Sequence, residues 1–216
     1  MLHVRLHVLL TFLMVLLTGT AAHAVTILSA DLTNAQENPP ANPTTAMGSF
    51  RPASFGTATF GLNDARTAMT FSSTIFNIDF TGRQTPDTHD NLTVAHIHAG
   101  PNVTRTTNGP VVWGFLGTPF NDNNPRDVVV TPFSTGVGGT ITGKWDATEG
   151  NNTTLTAQLS NILEGRSYIN FHTSQFPGGE VRGAIGLAPE PSTFLLVSTG
   201  VVGLLGLRRL KCRETG

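Results

Sequence analysis

Thr57-Ala58-Thr59-Phe60-Gly61-Leu62 decides the fold class. Successive residues of an extended chain point to opposite faces. Ala58, Phe60 and Leu62 therefore share one face, and Thr57, Thr59 and Gly61 the other, the pattern of a half-buried strand. Met69, Phe71 and Ser73 alternate in the same way with Thr70 and Ser72. Outward from this pair, residues 75–80, 92–98, 111–115, 127–131, 140–145, 168–172 and 180–187 are predicted as further strands. Turn residues separate them: Asn63-Asp64, Thr81-Gly82, Ala99-Gly100-Pro101, Asn108-Gly109-Pro110 and Pro177-Gly178-Gly179. Many short strands at this spacing predict an all-β sandwich or barrel. One window departs: Leu155, Leu159, Ile162 and Leu163 have helical spacing, with Gly165 at the place of a C-terminal cap, so residues 154–164 are predicted as a short helix. The expected fold is a single antiparallel β-sandwich, Greek-key and of immunoglobulin or superoxide-dismutase type, with one short helix. Residues 101–109 and 118–126 read as long polar loops.

Composition agrees. The chain has 216 residues, 32 of them Thr, 15 Asn and 2 Lys, with 23 Gly and 13 Pro. Thr suits strands, and Gly, Pro and Asn suit turns. Charged residues are 12%, about half the ~25% usual in soluble domains, which excludes a coiled coil or helical bundle. A net charge of −1 argues against a nucleic-acid partner. One cysteine excludes an intrachain disulfide framework.

The two ends stand apart from the domain. Arg5, an apolar run from Val8 to Leu17, and Ala22-His23-Ala24 have the order of a secretory signal peptide over residues 1–24. At the other end come Pro189-Glu190-Pro191, an apolar stretch over 194–207, then Arg208, Arg209, Lys211 and Arg213. This reads as a short membrane helix with its basic end on the cytoplasmic side. Residues 189–216 resemble the PEP-CTERM sorting signal of Gram-negative bacteria. The resemblance implies export, transient retention in the inner membrane, processing by an exosortase at Pro189-Glu190-Pro191, and residence at the cell surface or in an exopolysaccharide matrix. Between the ends, residues 25–188 hold twelve acidic and eight basic side chains and no cysteine, a net charge of −4.

Chemistry could sit in a polar cluster. In Ala95-His96-Ile97-His98, alternation projects His96 and His98 together. In Tyr168-Ile169-Asn170-Phe171-His172 it groups Tyr168, Asn170 and His172, with Ile169 and Phe171 facing a core. A third segment offers Glu180 and Arg182. If these strands are neighbours, His96, His98, His172 and Glu180 form a ligand set for zinc or copper. Two alternatives stay open on the residues alone: a structural polar network, and a glycan- or protein-binding face. No Gly-x-Ser-x-Gly nucleophile and no phosphate loop occurs.

In order along the chain, Glu37-Asn38-Pro39-Pro40, Gly56-Thr57-Ala58-Thr59-Phe60, Ala95-His96-Ile97-His98-Ala99-Gly100, Asn108-Gly109-Pro110-Val111-Val112, residues 163–173 and Pro177-Gly178-Gly179-Glu180-Val181-Arg182-Gly183 resemble the CHRD domain. That module is known from a secreted developmental regulator and from bacterial exported proteins. The resemblance covers about residues 25–187 and implies a β-sandwich. The expected role is an exported, non-enzymatic binding module for polysaccharide or surface proteins, with no assured cofactor. The competing reading is a zinc or copper protein, extending to a redox or hydrolytic enzyme. The His-x-His strand distantly resembles copper–zinc superoxide dismutase. Residues 25–188 hold only four histidines, however, and lack that enzyme's disulfide cysteines.

Overall fold

The computed structural model describes residues 25–189. The predicted leader (1–24) and the tail after Pro189, with its predicted spanning segment 194–207, lie outside the described residues. Among the described residues no helix is long and apolar enough to cross a membrane. The chain divides into two units, 1–186 and 187–216, and the first carries the fold.

The elements are β1 (Thr26–Thr33), β2 (Phe55–Leu62), β3 (Ala68–Phe76), β4 (Leu92–Ala99), β5 (Val111–Leu116), β6 (Val129–Pro132), β7 (Gly138–Asp146), α1 (Leu155–Leu163), β8 (Ser167–Thr173), β9 (Val181–Ala184) and β10 (Gly186–Leu187). In β2 and β3 alternate residues are buried, as the Thr/apolar alternation requires. The short helix forms where its spacing predicts. Thr154 caps it, its side chain accepting the Ala157 N–H, and Gly165 follows at φ +72°, a conformation that costs glycine little.

The strands do not form two separate sheets. They join one antiparallel sheet in the order β5-β4-β8-β9-β1-β2-β3-β7-β6. The link between its halves, β1 to β9, is a single residue pair, Thr33 with Arg182. The sheet curls into a half-barrel, so that β5 closes on β3 and β7 although it lies far from them in the hydrogen-bonded order. Trp113 stacks on Trp145 at 5.5 Å between ring centroids, and Phe71 meets Phe115 at 4.8 Å. Large aromatic rings bury much apolar area at each contact, and all four are at most 4% exposed. The expected sandwich is thus a packing of two halves of one curled sheet.

Three strand expectations change. β1 was not among the predicted strands; Leu28, Ala30 and Leu32 alternate there and are buried. The strand expected over 75–80 ends at Phe76, because Asn77 turns to φ +65°, outside the extended region. The strand expected over 180–187 is split into β9 and β10.

Candidate metal centre

β4 lies between β5 and β8. Ala95, Ile97 and Ala99 of β4, with Ile169 and Phe171 of β8, point into the core. The opposite face presents His96, His98, Tyr168, Asn170 and His172. Register sets His96 across from Asn170, His98 across from Tyr168, and His172 across from Val94. An outer sheet face is ordinarily wet, yet every residue of β8 is buried. Loops cover this face, and their carbonyls meet the histidines.

Each imidazole gives one N–H to a loop carbonyl. His96 Nε2 donates to Thr118 at 3.2 Å, His98 Nδ1 to Gly109 at 2.9 Å and His172 Nδ1 to Pro177 at 2.8 Å. A carbonyl can only accept, so each bond fixes which nitrogen holds the proton, and in the neutral ring the other nitrogen bears a lone pair. Those other atoms, His96 Nδ1, His98 Nε2 and His172 Nε2, are buried and have no hydrogen-bond partner. One ring nitrogen from each of the three histidines lies within 4.8 Å of the other two. Burial first, and then the neighbouring His172, holds His96 down to about 4; burial likewise lowers His98 to about 4 and lowers His172.

Three buried lone pairs without a donor are unfavourable until a cation or a hydrogen-bond donor meets them. Metal-bound histidines characteristically give their second N–H to a carbonyl or carboxylate, as these do. An ion at ~2.0–2.1 Å from each nitrogen needs them roughly 3.5 Å apart, a small closure from the present spacing.

The other predicted residues are placed as follows. Tyr168 lies flat on His98, centroids 4.5 Å apart and planes 6° apart. The Arg182 guanidinium covers Tyr168 at 3.6 Å and also donates to Asn108 Oδ1 and to the Thr104 and Thr107 carbonyls. Asn170 Nδ2 donates to Glu37 Oε1 at 2.6 Å. Glu180 does not join the histidines: its carboxylate accepts from Arg51, Ser54 and Thr173 in a buried network of its own. Of the predicted sorting motif, Pro189 is the last described residue; Glu190, Pro191, Arg208 and Arg209 lie outside.

Sequence reasoning missed the three loop carbonyls and Glu37. Burial raises the Glu37 carboxyl to about 7, against the opposing pull of Arg182. Glu37, Asn38, Asn108, Pro177 and Gly179 line a cavity of about 260 Å³ beside the cluster's covering loops. The Gly109 and Pro177 turns were visible as turn signals. That their carbonyls face the histidines depends on the loop path, which no local pattern encodes.

The family profile of the CHRD domain matches residues 28–185. No curated protein and no solved structure matches the chain.

Proposed function

The chain belongs to the CHRD domain family, and from that premise we propose that it is an exported, non-enzymatic domain holding one zinc or copper ion on His96, His98 and His172. The observation that carries this reading is three buried rings with one nitrogen of each within 4.8 Å of the other two, each ring holding one nitrogen pinned by a carbonyl and one without a partner. A purely structural polar network accounts for the pinned nitrogens and leaves the other three without a role. Burial of all three rings to 9% exposure or less favours holding an ion over turning over a substrate. Delivery rests on the two ends: residues 1–24 as leader and 189–216 as sorting signal, taking the domain through the secretion machinery and an exosortase to the cell surface or matrix.

A second role, contact with matrix polysaccharide, is favoured by the outer face of β2, β3 and β7. Thr57, Thr59, Thr70, Ser72, Thr74, Thr140 and Thr142 lie in register there, and Phe55 stacks on Phe76 at 4.9 Å with both rings exposed.

The test of the metal reading is metal content. Protein offered zinc or copper should hold one ion per chain, and His96→Ala, His98→Ala or His172→Ala should abolish it while His89→Ala leaves it intact. Equal metal content in the three variants and the parent would overturn the reading.

A further inference from the structure

We propose that the three-histidine site selects monovalent copper over divalent zinc. This rests on the metal reading above and adds the identity of the ion.

Charge sets the preference. The ligands are three neutral imidazoles. Among the described residues no carboxylate joins them, since the potential metal group contains His96, His98 and His172 alone and Glu180 is held by Arg51, Ser54 and Thr173. An ion bound here keeps its full charge in a site whose ligands are 4%, 9% and 6% exposed. The cost of burying an ion grows with the square of its charge, so a divalent ion meets about four times the desolvation penalty of a monovalent one.

A fixed cation adds to this. Arg182 sits over one face of Tyr168, whose ring is stacked on His98. The guanidinium is tied by three hydrogen bonds to Asn108, Thr104 and Thr107, so it cannot swing away. Its repulsion acts on any ion at His98, and twice as strongly on a divalent one. The nearby carboxyl, Glu37, faces Arg182 and is hydrogen-bonded to Asn170 rather than to a histidine.

Coordination number points the same way. Zinc is almost always four-coordinate and takes a water where the protein supplies three ligands. Imidazole suits both zinc and copper, and copper is the one of the two with a stable monovalent ion. Three nitrogens alone complete a trigonal shell for it.

The experiment is a pair of competition titrations on the purified full-length protein: Cu(I) alone against a Cu(I) chelator without oxygen, and Zn(II) alone against a zinc chelator. The expected result is one Cu(I) per chain, held at least ~100-fold more tightly than Zn(II). Zinc held as tightly as Cu(I), or more tightly, overturns the selectivity and leaves the metal site standing. Failure of both ions to bind overturns the metal reading itself.

Two variants probe the charge argument with opposite signs. Arg182→Gln should raise zinc affinity by more than Cu(I) affinity, by about tenfold. Because that change also releases residues 104–108, Glu37→Gln at pH 8 serves as the second: it should lower zinc affinity by more than Cu(I) affinity. Equal effects on both ions in the two variants would show that local charge does not set the preference.

Discussion

His96 and His172 face each other from paired strands, ring centroids 5.0 Å apart, each with one nitrogen donating to a loop carbonyl and the other without a partner. A proton on either ring would place a buried charge against the other. The arrangement is therefore stable as two neutral bases or as two ligands of a shared cation, and it makes the cluster sensitive to acid, to its covering loops and to its own geometry.

Acid should destabilise the metal-free protein. In the fold His96 and His98 sit near 4, against an ordinary value of 6.5. The unfolded chain takes up protons that the fold excludes, so their contribution is full above pH 6.5 and is lost as pH falls from 6.5 toward 4. Glu37 opposes this: its folded value of about 7 lies above its ordinary 4.5, so its contribution is full below pH 4.5 and is lost as pH rises from 4.5 to 7. Two histidines outweigh one carboxyl. Denaturant unfolding should show falling stability from pH 6.5 to 4.5, steeper in Glu37→Gln. A flat or rising profile in both proteins would contradict the burial of neutral histidines.

Gly114→Ala should weaken both fold and site. A Cβ there would stand 1.8 Å from the Pro119 carbonyl oxygen and 3.2 Å from His96 Cδ2. The chain after β5 folds back on this glycine, whose N–H donates to Asn121 Oδ1 at 3.0 Å. Pushing Pro119 away also moves Thr118, the partner of His96. Thermal unfolding should report a loss of about 1–3 kcal/mol, and metal affinity should drop ~10-fold or more. Gly178→Ala, with nothing within 4 Å of its Cβ position, should change neither by much.

Glu180→Gln separates a structural carboxylate from a ligand. Glu180 is fully buried against Arg51, whose side chain is 6% exposed. Leaving one member of a buried pair alone costs about 3–5 kcal/mol. Stability should fall by that order, while the protein still folded at low temperature keeps one metal ion per chain. Loss of the ion from folded Glu180→Gln protein would place this carboxylate among the ligands after all.

The strand pattern made most of this site legible. Alternation alone put His96 with His98, and Tyr168 with Asn170 and His172, and the register of β4 on β8 brings those faces together. Alternation also paired Glu180 with Arg182, and there it failed. β9 begins at Val181, so Glu180 precedes the strand and turns to Arg51, a partner 129 positions away. Arg182 keeps its place and reaches Tyr168. The curl of the sheet was hidden for a related reason: it depends on Trp113, Phe115, Phe71 and Trp145 meeting across distant strands, and periodicity within one strand says nothing of that.

The tail can be tested apart from the domain. If residues 189–216 are the sorting signal they resemble, replacing Pro189-Glu190-Pro191 with alanines should leave unprocessed precursor in the inner membrane, seen by fractionation and immunoblot. Unchanged processing and location would contradict the sorting reading and leave the metal site untouched.

The most direct test of the three-histidine centre is X-ray absorption at the metal edge of the copper-loaded protein. The expected result is a first shell of three imidazole nitrogens at ~2.0 Å, reduced in number by His172→Ala. A shell of oxygen or sulfur ligands, or one unchanged in that variant, would contradict it.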